Sequence, residues 1–305
     1  DKNCFHLRDG VFEYCKVSRN LDGTGSSFVF LFRRCNYDLE SESFKPGLFT
    51  VGETLGDFVT CSKNEAGLST DQVEERYRLV GLNSIEMKKP SFFRIVGQEF
   101  KKPFYTYQLF IVWGWFPIYY FYMALVLAFV VSVSGLTVSY FHYQNHRNLY
   151  RITHIEGVSE VLRDGQYVEI DQKDLVPGDI VKLRPGTTYA DMVVVSGSTT
   201  LIDESDLTGE STPQAKPPVD NKINHGDAYD SKLHKRHTIF SGTTIMETED
   251  SVAVVVSTGS YTLRGELLRE ILSLRRSSRH RFKFDAEVPS VIFILFLYSA
   301  FAFNM

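Results

Sequence analysis

The chain has 305 residues, a formal net charge of −4, a 43% hydrophobic content and four cysteines. That length suits about two domains, and the faint acidic balance excludes nucleic acid as a partner recognised through bulk charge. Cys4, Cys15, Cys35 and Cys61 form no C-x-x-C pair, so neither a zinc site nor a redox pair is indicated and no metal ligands are assigned. The first residues lack a basic stretch followed by an apolar core, so no signal peptide is read. Beginning at Asp1 and ending inside an apolar run, the chain reads as a segment of a longer protein.

Residues 1–66 read as a β-rich segment. Ser27-Phe28-Val29-Phe30-Leu31-Phe32 has the Val and Phe content of a strand. Phe44 to Phe49 suits a return strand, whereas Val11, Tyr14 and Val17 equally suit one face of a short helix. No chemistry is assigned there. Ser69 followed by Gln72 is a capping box, and Val73, Tyr77 and Val80 then share one face, which predicts an amphipathic lead-in helix with a linker over 67–100.

Phe104 to Phe141 contains no Asp, Glu, Lys, Arg or His. This is about 38 residues, against about 20 for one crossing of a bilayer. A break at Pro117 between Trp113, Trp115, Tyr119, Tyr120 and Tyr122 predicts a transmembrane helical hairpin over 101–141, with the aromatics at the membrane boundary. Lys88, Lys89, Arg94, Lys101 and Lys102 precede it and Arg147 and Arg151 follow, so both ends face the cytosol.

Residues 142–287 are different. Val158 to Leu162 and Tyr167 to Ile170 flank Asp164-Gly165, a hairpin-turn signal. Short apolar runs at 180–183, 192–195, 199–202, 239–245 and 252–256, separated by Gly and Pro turns, predict a sandwich or jelly-roll-like β domain. Thr262 to Leu274 is a closing helix. The basic run Arg275, Arg276, Arg279, Arg281 and Lys283 reads as the solvated flank of a third membrane helix beginning at residue 288. The fold class is therefore an α+β membrane protein with a cytosolic β-rich domain.

At the centre of that domain lies Asp203-Glu204-Ser205-Asp206-Leu207-Thr208-Gly209-Glu210-Ser211. A glycine supplies the tight turn, and an acid at a loop tip can orient a water and take its proton. The stretch resembles the actuator signature of P-type ATPases. The resemblance extends over Leu175-Val176-Pro177-Gly178-Asp179-Ile180-Val181, Ala190-Asp191, Lys216, Phe240-Ser241-Gly242-Thr243 and Thr258-Gly259, with Thr262 and Gly265 beyond, in the family's order and spacing. Leu68-Ser69, Arg76-Tyr77 and Gly81-Leu82-Asn83 are similar to that family's lead-in to the first membrane helix. One departure is Tyr189, where the family usually has proline.

The N-terminal segment, Lys102-Pro103-Phe104-Tyr105 and Phe282-Lys283-Phe284 resemble the fifth class of the family, nearer its cation- and polyamine-exporting branch, while Pro213-Gln214 and Pro218 echo the helix-dislocase branch. The resemblance implies a catalytic set of Glu210, Thr208, Gly209 and Ser211. Glu210 orients the water that hydrolyses an aspartyl phosphate, Thr208 and Gly209 shape the loop, and Ser211 supports it. Read from the residues, Asp203 and Glu204 hold the turn, and Lys216 is exposed by default, with an interdomain contact as the alternative. The resemblance implies ATP and Mg2+ as cofactors of the whole protein, at sites outside this chain. The implied partners are the lipid bilayer and the phosphorylation and nucleotide-binding domains of the same polypeptide, in an endolysosomal, vacuolar or endoplasmic-reticulum membrane. The segment alone should neither hydrolyse ATP nor transport. Two rivals stay open: a transmembrane-helix dislocase of the same fifth class, and a membrane-anchored β scaffold without chemistry; a soluble enzyme using the β domain alone fits poorly, because the polar loops hold no second catalytic partner.

Overall fold

The computed structural model describes residues 3–304 except 9–10, 20–25, 31, 39–41, 86, 88, 116–120, 220–227, 232 and 277–282. In chain order, β1 (Asn3–Arg8), β2 (Val11–Lys16), β3 (Ser18–Arg19), β4 (Ser26–Phe30), β5 (Arg33–Asp38) and β6 (Ser43–Pro46) precede α1 (Leu55–Ser62) and α2 (Thr70–Val80). Then come α3 (Phe92–Phe100), α4 (Pro103–Trp115) and α5 (Phe121–Thr153). The β-rich part follows: β7 (Val158–Arg163), β8 (Gln166–Asp171), β9 (Ile180–Lys182), β10 (Gly186–Thr187), β11 (Asp191–Ser196), β12 (Thr200–Asp203), α6 (Ser205–Thr208), β13 (Gln214–Lys216), β14 (Thr238–Ile239), β15 (Thr244–Glu247) and β16 (Val252–Ser257). Helices α7 (Leu263–Arg276) and α8 (Lys283–Asn304) close the chain. These elements form two compact units, Asp1–Ile85 with Ile155–Ser273, and Glu86–His154 with Leu274–Met305.

In the first unit, a six-stranded sheet ordered β14-β11-β16-β9-β7-β8 faces a four-stranded sheet ordered β10-β15-β12-β13. Asp164 and Gly165 both take positive φ (48° and 77°), the two-residue turn that joins β7 to β8 in register. The side chains of β11 alternate across the large sheet. Met192 and Val194 face Ile202 and Ile245 of the small sheet, whereas Val193 and Val195 lie in a second cluster with Leu55 and Phe58. Val254 and Ile180 turn the same way as Val193, opposite to Val255 and Val181. Both faces of the sheet are covered, which explains why its central strands are apolar without a break.

The cover on the outer face is α1. Asp57 Oδ2 accepts the Glu53 and Thr54 N–H groups, both at 2.9 Å, which fixes the helix start. Leu55 is 0% and Phe58 1% exposed, and Phe58 meets Tyr229 edge to face at 5.0 Å. The segment at 1–66 thus includes part of the β domain's core.

Helix α2 begins with the expected Ser69–Gln72 capping box. The Tyr77 carbonyl takes the Gly81 cap N–H at 2.9 Å, and β5 supplies further donors to the last-turn carbonyls. Arg34 Nη1 donates to the Tyr77 and Arg78 carbonyls at 3.3 and 3.1 Å, and Asn36 Nδ2 to the Leu79 carbonyl at 3.0 Å. Arg76 Nη1 donates to the Pro177 carbonyl at 2.6 Å and stacks on Phe49. Asn83, fully buried, donates to the Gln172 carbonyl at 2.8 Å and accepts the Gly259 N–H at 2.6 Å. In the N-terminal strands the alternative of a helix at Val11–Val17 gives way to β2, paired with β1 from Arg8↔Val11 to Asn3↔Lys16. Cys35 and Cys61 are thiols; the side chains of Cys4 and Cys15 lie outside the described residues.

In the second unit α5 has 33 residues and is long and apolar enough to cross a membrane. Tyr122, Phe129 and Phe141 lie on its exposed surface. Helix α4 has 13 residues, about 20 Å at 1.5 Å per residue, short of a ~30 Å hydrocarbon core. The expected break at Pro117 and the aromatics Tyr119 and Tyr120 lie outside the described residues, as do Arg279 and Arg281. Phe92 packs edge-on against Tyr143 of α5 at 5.7 Å. Glu99, 5% exposed, pairs with Lys102 at 2.7 Å.

Candidate active-site loop of the β domain

Strands β12 and β13 pair from Thr200↔Lys216 to Ile202↔Gln214, so residues 204–213 are one long excursion between two hydrogen-bonded strands. Asp203 Oδ1 accepts the Ser205 N–H at 2.9 Å, and these contacts with Ser205 hold its carboxyl below the usual range. The Glu204 carbonyl then takes three donors: the Leu207 and Thr208 N–H groups at 2.9 Å each and Thr208 Oγ1 at 3.1 Å. The result is the single turn α6. Gly209 ends it with φ 78° and ψ 0°, a left-handed cap that a side chain would strain. Thr208 Oγ1 in turn accepts the Glu210 N–H at 3.2 Å.

The structure therefore brings three of the four expected site residues into one hydrogen-bonded turn. Thr208 hydrogen-bonds both ways, Gly209 reverses the chain, and Glu210 stands exposed just beyond. Ser211 is exposed next to it. Behind the loop is a cavity of about 590 Å³ lined in part by Thr208, Glu210, Lys216, Lys235, Arg236 and Phe240.

The other sequence blocks are held by hydrogen bonds of their own. Asp191 Oδ1 accepts the Ser241 N–H and Oδ2 the Leu263 N–H, both at 2.8 Å, joining the Ala190-Asp191 block to the Phe240–Thr243 turn and to the start of α7. Burial pushes the Asp191 carboxyl up to about 7, against the pull of those two N–H groups. Thr262 Oγ1 donates to the Gly259 carbonyl at 2.9 Å and accepts the Gly265 N–H at 3.0 Å. Asp179, 0% exposed, accepts from Arg163 through both oxygens at 3.0 and 2.7 Å and from the Val176 N–H at 2.8 Å.

Lys216 requires a correction. Read alone it is exposed; in the structure it is 4% exposed. Its Nζ lies 2.7 Å from Glu204 Oε1, donates to the Lys235 carbonyl at 2.8 Å, and sits 5.6 Å from the Phe240 ring centroid. Glu204, itself 8% exposed, is the other half of that pair. Nothing local in Gln214-Ala215-Lys216-Pro217 marks the lysine as buried; only the strand pairing turns it inward.

Tyr189 also gains a reason. Its N–H donates to Gln172 Oε1 at 3.1 Å, while Gln172 Nε2 donates to the Thr187 carbonyl at 3.0 Å. A proline at 189 has no N–H to give.

Comparison with known families gives two matches: residues 154–272 with the P-type ATPase actuator domain, and residues 49–112 with the cation transporter/ATPase N-terminus. Over 237 residues the chain is 36% identical to polyamine-transporting ATPase 13A3 of Mus musculus and of Homo sapiens, covering 72% of this chain and 19% of each relative. It is 29% identical over 296 residues to the probable manganese-transporting ATPase PDR2 of Arabidopsis thaliana, covering 88% of this chain and 24% of that protein. The chain thus spans about a fifth to a quarter of the length of these relatives. With the loop, the paired strands and the N-terminal match in agreement, the chain belongs to the P-type ATPases, residues 154–272 being its actuator domain, and the relatives it matches are of the fifth class.

Proposed function

We propose that this chain is the actuator-bearing part of an ATP-driven transporter that moves a cation or a polyamine across an endomembrane, endolysosomal, vacuolar or of the endoplasmic reticulum. When bound to the whole protein, ATP with Mg2+ supplies the phosphoryl group that an aspartate outside this chain accepts. The work of this chain is to hydrolyse that acyl phosphate. Glu210 orients a water in line and takes its proton. Thr208 and Gly209 fix the angle at which the carboxylate leaves the turn, and Ser211 supports its approach. The observation that carries this reading is the exposed Glu210, presented immediately after a left-handed Gly209 and a turn closed by Thr208.

In this reading residues 1–66 form a cytosolic β-rich segment, 67–100 an amphipathic lead-in, 101–141 a transmembrane hairpin, 142–287 the actuator with its linkers, and 288–305 the start of a third transmembrane helix. Residues 1–100 and 142–287 face the cytosol. The domain acts as a lever whose rotation couples hydrolysis to the membrane helices, with the phosphorylation and nucleotide-binding domains of the same polypeptide as partners. The names of the relatives, polyamine-transporting and manganese-transporting, support a cationic cargo.

The test uses the full-length protein and radiolabelled ATP. Glu210→Gln should form phosphoenzyme to the normal level and lose it roughly 100-fold more slowly, within the range expected for loss of a general base. Decay at the normal rate would defeat the assignment.

A further inference from the structure

Lysine and glutamate are almost never fully buried unless paired, and Lys216 with Glu204 is such a pair. A buried ion pair is a weak source of stability, since well-packed apolar residues of similar volume often serve as well. What this pair touches is more telling. Glu204 is the root of α6, its carbonyl holding Leu207 and both donors of Thr208. Its carboxylate is gripped from behind by Lys216 of β13, at 2.7 Å. Lys216 donates to the Lys235 carbonyl at 2.8 Å and packs over Phe240. Glu204 Oε1 takes no aligned hydrogen bond among the described residues, so the lysine's charge holds it. Three separate stretches of chain are thereby tied to the one residue from which the catalytic turn hangs.

We infer that Lys216 and Glu204 are positioning residues for acyl-phosphate hydrolysis: the pair fixes the orientation of the Ser205–Thr208 turn and so sets where Glu210 is delivered. This rests on the assignment of Glu210. Neither residue touches the reacting atoms. Lys216 acts through Glu204, Glu204 through Thr208, and Thr208 through the Glu210 N–H. The pair and the turn line the same cavity, with Glu204, Lys216 and Thr208 all on its wall.

The experiment is a cycle of variants in the full-length transporter, followed by radiolabelled ATP. Lys216→Met should form phosphoenzyme at the normal level and rate, and lose it at least tenfold more slowly. In the Glu210→Gln background, Lys216→Met should add nothing, because the group it positions is already gone. Slowing that multiplies across the two sites, or normal decay in Lys216→Met, overturns the inference. If Glu210→Gln itself decays normally, the reading of Glu210 fails instead. Should Lys216→Met form no phosphoenzyme, the paired change Glu204→Leu with Lys216→Met is read, since it leaves no charge buried alone. Normal phosphoenzyme with slow decay supports the inference. Normal decay, or no phosphoenzyme again, overturns it, for the pair would then serve the fold and not the loop.

Discussion

Phe58→Ala should loosen the whole β domain, although Phe58 lies far outside the stretch that matches the actuator family. Its ring is 1% exposed and packs with Leu55, Leu162, Val193 and Val254. Truncating a fully buried phenylalanine costs about 3–5 kcal/mol, from lost transfer energy and the cavity left behind. The edge-to-face contact with Tyr229 at 5.0 Å accounts for about 0.5–1.5 kcal/mol of such a loss. A drop of about 4 kcal/mol raises the population of the opened domain nearly 1000-fold, at ~1.4 kcal/mol per factor of ten. Hydrogen exchange of the β11 and β16 amides in the purified protein reads this directly, because their protection reports opening of the sheet. Exchange should accelerate by two to three orders of magnitude. Unchanged protection of β11 and β16 would refute the claim that α1 completes the core.

Two further effects follow from buried polar groups. Asn83→Ala strips the Gly259 N–H of its acceptor at 2.6 Å, at a cost of about 1–3 kcal/mol; exchange of the Gly259 and Ser260 amides should quicken about 5- to 150-fold. Asp191 carries a proton in the native state up to about pH 7, against an ordinary value of 3.8. The native state therefore binds more protons than the unfolded state between those values. The residue's contribution is full below about pH 4 and is lost as pH rises to about 7, a span worth about 4 kcal/mol. Asp191→Asn should flatten the fall in stability over that window, seen as urea midpoints compared at pH 4.5 and 7; an unchanged slope would contradict it.

Much of the β domain is written in local signals. Asp164-Gly165 can hardly be anything but a two-residue turn between alternating strands, and Ser69 with Gln72 marks a helix start with four residues. The geometry of the 205–209 turn was equally legible, because Gly209 takes the left-handed cap and the Thr208 hydroxyl closes the turn. What stayed hidden depends on residues distant in sequence. Met192–Val195 read only as one apolar strand of a sandwich; that its second face is covered by α1 appears only in the structure. The segment that forms α1, Leu55-Gly56-Asp57-Phe58, shows no long periodicity. Lys216 looks like an ordinary surface charge until β13 pairs with β12 and its side chain meets Glu204 at the start of α6.

The contact between Tyr189 and Gln172 bears on how this protein can be engineered. Moving residue 189 toward the proline common among its kin would delete the donor that satisfies Gln172 Oε1, stranding an amide oxygen in a nearly closed interior. A substitution judged at position 189 alone would miss that cost and produce a weaker protein. Residues 172 and 189 are coupled by that hydrogen bond, and are to be exchanged together or left alone.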